Sequence, residues 1–409
     1  MKVEILCVGT ELLLGDILNT NAQFLSKEFS SMGFSMYHQT VVGDNVERLK
    51  KEFELALGRA DIIVTTGGLG PTKDDLTKET AAEFFNKKLI FDKNSYDKIV
   101  DYFNRVGRTI SENNKKQAYF PEGCTILKND HGTAPGCIID ENGKIVILLP
   151  GPPREIVPMF KNYVAPYLKK YQEGTIISKV LRVSGVGEGR AAEMLEGLID
   201  NQTNPTIAPY AKDNEVTFRI TAKAESEGRA EKLIEPIEKK VREILKDSVY
   251  GEGDTSLENV LGTMLIDKKL TIATAESCTG GLLAGKLINY PGISEVFMEG
   301  AVTYTNEAKI KRLGVKKETL DKHGAVSSET AAEMAEGIAK TAGTDIGIAT
   351  TGIAGPGGGT EEKPVGLVYV GLYIKGKVMT KKLNVPGDRQ RVRNTVVNNA
   401  IDWIRRSIM

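Results

Sequence analysis

The sequence is poor in the residues that commonly build disulfide frameworks and zinc sites. Its 409 residues include only four cysteines and three histidines. No two cysteines form a Cys-x-x-Cys pair, and no histidine has a second histidine or a cysteine at metal-ligand spacing. A disulfide scaffold is therefore excluded and a His-rich zinc site is poorly supplied. So few cysteines, without a pairing pattern, are typical of a cytoplasmic protein whose thiols stay reduced.

Net charge and long apolar runs are also missing. Lys plus Arg and Asp plus Glu each number 54, so bulk electrostatics gives no reason to expect a nucleic-acid partner. No stretch approaches the roughly 20 apolar residues that cross a bilayer. The apolar run at the N-terminus is short and is interrupted by Glu4, which argues against a secretory signal. We expect a cytoplasmic protein with no membrane partner.

Length and hydrophobic pattern predict three regions. Residues 1–170 and 254–409 alternate short apolar strands with helices, which is typical of mainly parallel sheets flanked by helices. Residues 171–250 combine half-exposed strands with helical segments and read as a small α+β module. The Gly-, Asp- and Ser-rich segment 248–256 then reads as a linker. The predicted fold class is α/β, with two such domains joined by the small module.

Four separated motifs in the last region could form one site. They are TAESCTGG (274–281), GAVTYTNEAK (300–309), TTGIAGPGGG (350–359) and PGDR (386–389). The first places Ser277 between a predicted strand and a helix, where backbone N–H groups can stabilise an oxyanion. The bland alternative is a serine helix cap followed by tight glycine turns. Together, the motifs resemble the C-terminal, nicotinamide-nucleotide amidase domain of the CinA family.

That resemblance implies a serine amidohydrolase that converts nicotinamide mononucleotide to nicotinate mononucleotide and ammonia without a cofactor. Ser277 matches the family nucleophile, Lys309 its base and Tyr304 the assisting hydroxyl. A lysine can act as a base when burial lowers its pKa. The alternatives are a solvated Lys309 and a core aromatic at Tyr304. The expected substrate-binding residues are Thr279, Gly280, Thr351, Gly352, Gly355 and Arg389.

Two further residues are alternatives: Arg393 for binding the phosphate and Cys278 for the nucleophile. Arg389 is expected to hold the substrate phosphate because a guanidinium can grip it in two places, and Arg393 is the weaker candidate. Cys278 is a rival nucleophile by chemistry. It ranks below Ser277, because no histidine nearby in the sequence would raise its thiolate content.

Three strand ends in the first region carry glycine turns with acidic residues. They lie at 9–16, 41–45 and 65–75. Such turns suit a nucleotide phosphate and its divalent metal, although tight turns with helix caps would look the same. The loop TTGGLGPTKDD (65–75) and the turn LPGPP (149–153) resemble the molybdopterin-binding fold.

The chain as a whole resembles full-length members of the CinA family. For the first region this implies metal-dependent hydrolysis of ADP-ribose to AMP and ribose 5-phosphate. The expected metal or water-activating residues are Asp44, Asp74 and Asp75, with Glu11 as a weaker candidate. The expected nucleotide-binding residues are Gly9, Thr10, Gly67, Gly68, Gly70, Thr133, Pro150 and Gly151.

The middle region resembles a KH-type module. A nucleic-acid-binding KH module needs a Gly-x-x-Gly loop, whereas Gly185 and Gly189 stand one residue too far apart. We therefore expect a structural or dimerising role, and a homodimer is the family-level expectation. Two alternatives stay open: a competence-related, nucleic-acid-associated protein, and an enzyme of molybdenum-cofactor biosynthesis.

Overall fold

The predicted alternation of strands and helices is present in the structure. The computed structural model describes residues 1–172, 174–212 and 214–409. They form two compact units: Met1–Ile177 with Ala222–Lys232, and Ser178–Thr221 with Leu233–Met409. Within the described residues, no helix has the length and apolarity that a membrane span requires. The α/β fold class with mainly parallel sheets is confirmed.

The first unit contains a six-stranded sheet. Its strands and those of a small accessory ribbon are β1 (Lys2–Val8), β2 (Ser35–Val42), β3 (Ile62–Thr66), β4 (Leu89–Phe91), β5 (Tyr119–Pro121), β6 (Thr125–Leu127), β7 (Gly136–Glu141) and β8 (Lys144–Leu149). Its helices are α1 (Thr10–Leu14), α2 (Thr20–Ser31), α3 (Val46–Arg59), α4 (Thr77–Phe84), α5 (Lys93–Arg105), α6 (Pro153–Met159) and α7 (Ala165–Leu168).

The sheet order places several loops at one edge. The order is β2-β1-β3-β8-β7-β6, with β2, β1, β3 and β8 parallel, and β7 pairs antiparallel with both β8 and β6. Apolar side chains on both faces of the sheet are buried against helices. Because parallel strands end at the same edge, the loops that follow β1, β2, β3 and β8 converge there.

The middle region forms a four-stranded sheet of order β10-β11-β9-β12. Its elements are β9 (Thr175–Val183), α8 (Glu188–Met194), α9 (Glu196–Ile199), β10 (Thr206–Lys212), β11 (Glu215–Ala224), α10 (Glu227–Leu245) and β12 (Val249–Glu252). The linker predicted at 248–256 is wrong in its first half, because β12 pairs with β9. Tyr250 in β12 is buried, and its hydroxyl donates to Glu215.

The last region contains a five-stranded sheet of order β14-β13-β15-β16-β17, in which β14, β13 and β15 are parallel. Its strands are β13 (Ile272–Glu276), β14 (Phe297–Val302), β15 (Ile346–Gly352), β16 (Leu367–Ile374) and β17 (Lys377–Asn384). Its helices are α11 (Leu257–Asp267), α12 (Leu282–Leu287), α13 (Asn306–Leu313), α14 (Lys317–His323), α15 (Ser328–Ala342) and α16 (Arg389–Ser407).

Helix α16 is long and amphipathic. Val392, Val396 and Ala400 are buried on one face, as the spacing predicts. At its far end, Arg406 donates to the Ser184 carbonyl at 3.0 Å and Arg405 to the Asp247 carbonyl at 2.5 Å. The helix therefore packs on the last sheet and also binds the middle sheet's loops, all within the second compact unit.

Candidate active sites

Ser277 lies directly after β13, between the ends of two neighbouring parallel strands. Its amide donates to the Thr350 carbonyl on β15 at 2.9 Å. On the other side, the Thr303 amide after β14 donates to the Glu276 carbonyl at 2.8 Å. The structure thus brings three of the four C-terminal motifs to one sheet edge, as the topology of parallel strands requires.

Lys309 points from the first turns of α13 into this edge. Only 1% of its surface is exposed. Its Nζ lies 3.2 Å from Ser277 Oγ, 2.9 Å from the Thr303 carbonyl oxygen and 3.2 Å from the Tyr304 carbonyl oxygen. Burial lowers the pKa of Lys309 below its ordinary value. A solvated position for this lysine is therefore ruled out.

The helix that follows Ser277 does not offer its amino end to a ligand. The first amides around α12 are bound by Glu276, whose carboxylate is 1% exposed. The backbone donors to this carboxylate are Gly281 N at 3.0 Å, Leu283 N at 3.0 Å and Ala284 N at 2.8 Å. An oxyanion site at the start of this helix is thus taken by the protein's own side chain.

Other amides beside Ser277 remain available. In the part of the chain that the structure describes, the amides of Cys278 and Thr279 donate to no backbone or side-chain oxygen and contact the Cys278 sulfur, whereas the Gly280 amide donates to the Ser277 carbonyl. The positive φ of Gly280, 59°, makes this tight turn possible. Two peptide donors that bond no protein oxygen, next to a hydroxyl, are the elements of an oxyanion hole, because a sulfur is a much weaker acceptor than an oxyanion.

Tyr304 occupies a more open position than an assisting hydroxyl would suggest. Its side chain is 61% exposed, so it is not a core aromatic. Its hydroxyl contacts Nη2 of Arg389 at 3.4 Å. Among the described residues, no hydrogen bond joins this hydroxyl to Ser277 or Lys309. Only the main-chain carbonyl of Tyr304 contacts the lysine.

The predicted substrate-binding residues lie in the loop after β13, in and after the last residues of β15, and at the first residue of α16. Arg389 Nη1 donates to the Gly355 carbonyl at 2.8 Å and so contacts the glycine-rich loop after β15. Thr351 is buried and donates to the Ala325 carbonyl at 2.6 Å, which leaves its hydroxyl engaged within the protein. Gly352 packs so closely on β16 that an added Cβ would lie 2.5 Å from a Val368 methyl.

Arg393 has a different partner from the one considered in the sequence. Its Nε and Nη2 contact the Thr279 carbonyl at 3.3 and 2.7 Å. The Thr279 hydroxyl itself lies 2.6 Å from Glu276 Oε2 and 2.6 Å from the Thr350 hydroxyl. These contacts hold the loop that carries the nucleophile rather than leaving the groups free for a ligand.

Cys278 is unsuited to attack. It is 6% exposed. Burial, with a smaller contribution from the charge of Glu276, raises the pKa of its thiol to about 12. A thiol of this kind stays protonated near neutral pH and is a poor nucleophile. The ranking of Ser277 above Cys278 agrees with this environment.

A second candidate site lies in the first unit, at the edge where the parallel strands end. A cavity of about 530 Å³ opens there. The predicted residues that line it are Gly9, Glu11, Asp44, Gly67, Gly68, Gly70, Asp74, Asp75, Thr133, Pro150 and Gly151. Thr10 does not line it but binds Asp44. The motifs therefore converge on one concave surface.

The carboxylates of this cavity do not form a ready metal site. Across residues 1–172, 174–212 and 214–409, no group of three or more His, Cys, Asp or Glu side chains is placed to hold a metal ion. Asp44 accepts hydrogen bonds from the Thr10 amide at 3.0 Å and hydroxyl at 2.9 Å. Asp75 accepts from the Thr72 amide at 2.9 Å and hydroxyl at 2.5 Å. The four carboxylates singled out in the sequence thus do not fit a bound metal as they stand.

Three further polar residues line the cavity and were missed in the sequence. Asn21 donates to the Thr66 hydroxyl at 2.8 Å and to the Gly151 carbonyl at 2.6 Å, and its buried Oδ1 has no partner among the described residues. Gln117 and Glu155 also line the cavity. Glu155 follows the LPGPP turn by two residues, which was the one available signal. Burial raises the pKa of Glu155.

Comparison with known proteins decides the family. The model described as "CinA C-terminal domain" matches residues 254–408, "Probable molybdopterin binding domain" matches 4–170, and "Damage-inducible protein CinA KH domain" matches 178–251. A competence-damage inducible protein of Clostridium acetobutylicum is 83% identical over the full length of both chains. The chain belongs to the CinA family. A Clostridium tetani relative of this CinA-family chain is 61% identical, again over 100% of both.

A solved structure carries the same family name. The competence/damage inducible protein CihA from Agrobacterium tumefaciens shares 40% identity with this CinA-family chain. The match covers 37% of this chain and 96% of that one, with a TM-score of 0.36.

Proposed function

We propose that the C-terminal region hydrolyses the carboxamide of nicotinamide mononucleotide, releasing ammonia and nicotinate mononucleotide. The observation that carries this proposal is the 3.2 Å distance between the buried Lys309 Nζ and Ser277 Oγ. A serine hydroxyl is a weak nucleophile until a neighbouring base takes its proton. A lysine whose pKa burial has lowered is such a base.

The surroundings of Lys309 favour the neutral amine in the correct orientation. A neutral amine has two N–H groups and one lone pair. The carbonyl oxygens of Thr303 and Tyr304 accept the two N–H groups. The lone pair is then directed at Ser277, whose hydroxyl donates its proton to it. Main-chain carbonyls on two sides thus orient the base without any charged partner.

The chemical steps follow from this arrangement. Ser277 Oγ attacks the carboxamide carbon while Lys309 takes the hydroxyl proton. The oxyanion that forms would take the amides of Cys278 and Thr279 as donors, in place of the Cys278 sulfur. Lys309 then returns the proton to the amide nitrogen, the C–N bond breaks, and ammonia leaves. Water, activated by the same amine, hydrolyses the ester left on Ser277, which regains its proton as nicotinate mononucleotide is released.

Arg389 supports a substrate that carries a phosphate. Its guanidinium lies between the glycine-rich loop at Gly355 and the exposed hydroxyl of Tyr304. A phosphate at this place would meet a bidentate cation and a hydroxyl donor. This gives Tyr304 a role in binding the substrate, beside Arg389, rather than in assisting the base.

An ammonia-release assay tests the proposal. Purified protein should release ammonia from nicotinamide mononucleotide and much more slowly from nicotinamide riboside, which lacks the phosphate. Arg389→Lys should raise KM for the mononucleotide by about tenfold and change riboside turnover little, because one charged contact of a bidentate pair is lost. Equal turnover of both substrates by the wild-type protein would remove the phosphate contact from the proposal.

The cavity of the first unit favours a second activity, hydrolysis of ADP-ribose to AMP and ribose 5-phosphate. A volume of about 530 Å³ lined by backbone of three glycine turns can take a nucleotide. We derive no step through a metal, since the carboxylates present are not clustered to hold one. A molybdenum-cofactor role for the same cavity, and nucleic-acid binding by the middle module, remain the alternatives.

Incubation with ADP-ribose, with and without added divalent cations, tests this second proposal by the AMP formed. Asp75→Asn should lower AMP formation by at least about tenfold, since Asp75 fixes the loop at Thr72 that borders the cavity. Glu47→Gln, on the exposed side of α3, is the matched control and should change nothing. If Asp75→Asn formed AMP at the wild-type rate, the Asp75 carboxylate would not be required for this activity.

A further inference from the structure

The loop that carries Ser277 is held by one buried carboxylate. We call residues 277–281 the nucleophile loop. Glu276, the residue just before it, is 1% exposed. In the described part of the chain, its carboxylate has no lysine or arginine within ion-pair distance. Its charge is balanced instead by hydrogen-bond donors that follow it in the chain.

Four donors converge on this carboxylate. Oε2 accepts from the Thr279 hydroxyl at 2.6 Å and from the Gly281 and Leu283 amides, each at 3.0 Å. Oε1 accepts from the Ala284 amide at 2.8 Å. Hydrogen bonds to an ionised acceptor are strong, and the amino end of a helix favours a negative charge. The loop is therefore folded back onto the residue that precedes it.

This fold-back decides which amides remain for a substrate. The Gly281 amide turns inward to Glu276, and the Gly280 amide bonds the Ser277 carbonyl. In the described residues, the amides of Cys278 and Thr279, next to the nucleophile, bond no protein oxygen and contact only the weakly accepting Cys278 sulfur. On its outer side, the same loop is fixed by Arg393, which donates to the Thr279 carbonyl at 2.7 Å.

We propose that Glu276 is a positioning residue of the amidase site: its buried carboxylate draws the α12 amides inward and so directs the Cys278 and Thr279 amides at the developing oxyanion. This inference rests on the proposed amidase function. A carboxylate is suited to the task because it accepts from every side. A glutamine has one acceptor and would turn its NH₂ group against backbone donors.

A purely structural helix cap would behave differently. Loss of a helix cap lowers thermal stability. It leaves both kcat and KM unchanged when they are calculated per folded molecule. Loss of oxyanion alignment lowers kcat specifically, by about 10²–10³ for one donor. The split between kcat and KM therefore separates the two roles.

The test uses the full chain with Glu276→Gln, Glu276→Asp and the control Glu299→Gln. Glu299 is on the neighbouring strand β14, is partly exposed and accepts from Arg312. We expect Glu276→Gln to lower kcat for nicotinamide mononucleotide about a hundredfold with KM within about threefold. Glu276→Asp should recover part of the loss, and Glu299→Gln should match the wild type.

Hydrogen exchange of the peptide spanning 277–284 gives a readout that needs no turnover. We expect this peptide to exchange faster in Glu276→Gln than in the wild type. In Glu299→Gln it should exchange at the wild-type rate. Wild-type kcat in Glu276→Gln would overturn the inference, as would a raised KM with kcat unchanged. If Glu276→Gln fails to fold, the same criteria apply to Glu276→Asp, whose kcat should still be lowered.

The exchange measurement also separates this inference from the amidase proposal. If the wild-type protein released no ammonia from the mononucleotide, the proposed function would fail. Exchange would then decide alone: acceleration confined to 277–284 would support positioning of the loop by Glu276, and unchanged exchange would overturn it.

Discussion

The two candidate sites differ in what is already assembled. Around Ser277, the hydroxyl and the amine lie together with two amides that bond no oxygen among the described residues, and main-chain contacts at a buried sheet edge fix Ser277 and Lys309. In the first unit, a wide cavity is present, but its acidic groups are bound separately by Thr10 and Thr72. At the Ser277 site, burial holds reactive groups close together. In the first unit, the fold provides a cavity but leaves its carboxylates apart. The same type of α/β sheet edge can therefore form a cavity without forming a catalytic arrangement of side chains.

Loss of the nucleophile should affect the Ser277 site more than any other single change. Ser277→Ala should reduce ammonia release from nicotinamide mononucleotide by at least about a thousandfold, because the attacking oxygen is removed. AMP formation from ADP-ribose should be unchanged, since the cavity belongs to the other compact unit. Parallel assays on one protein preparation measure both. Joint loss of the two activities would contradict the independence of the sites.

Removal of the base should be nearly as severe. Lys309→Met keeps the length of the side chain and should lower kcat about 10²–10⁴-fold. Lys309→Arg should be equally poor, because a guanidinium does not give up its proton. A variant at Lys311, the exposed neighbour on α13, serves as the control.

The pH profile of the wild-type protein sharpens the same point. The base must be neutral, so kcat/KM should rise with pH through the pKa of Lys309. Burial lowers that pKa, so the rise should centre below the ordinary lysine value of 10.5. A profile flat from neutral pH upward through 10.5 would assign the proton transfer elsewhere.

A moderate effect concerns stability of the first unit. Lys78 is 2% exposed, donates to the Gln117 carbonyl at 2.7 Å and lies 4.5 Å from the centre of the Phe120 ring. Burial lowers its pKa from 10.5 to about 8. The folded protein therefore binds this proton less tightly than the unfolded chain, and stability should rise as pH increases from about 8 to 10.5.

The melting temperature of wild type relative to Lys78→Met measures this contribution across that range. The difference should shift in favour of the wild type as pH rises, because methionine carries no proton to lose. A difference that stays constant with pH would show that Lys78 is not desolvated in solution.

The smallest expected effect is at Cys278. Cys278→Ala should change kcat by less than about threefold, since the thiol is protonated near neutral pH and takes no part in the proton transfer. Iodoacetamide at pH 7 should likewise leave ammonia release intact. Rapid inactivation with label on Cys278 would mean that its surroundings open in solution.

The sequence was sufficient to predict the strand ends but not the partners of their side chains. The apolar run before Ser277 predicts that this serine follows a strand, and parallel pairing brings Thr303 and Thr350 beside it. Nothing in the run predicts that Glu276 turns inward, because an acid in a buried strand is expected to be paired with a cation. The linker prediction failed at Tyr250 for a similar reason. The glycine and aspartate residues around it indicate a loop, although Tyr250 is buried in a strand.

Helix α16 carries a constraint on chain length that no single contact reveals. Arg389 at its first turn reaches the glycine-rich loop, and Arg405, sixteen residues on, reaches the middle sheet's connection at Asp247. At 1.5 Å per residue, about 24 Å of rigid rod joins the two. One inserted residue would rotate one arginine by about 100° relative to the other. The number of residues between Arg389 and Arg405 is therefore constrained, whereas a surface loop tolerates insertions.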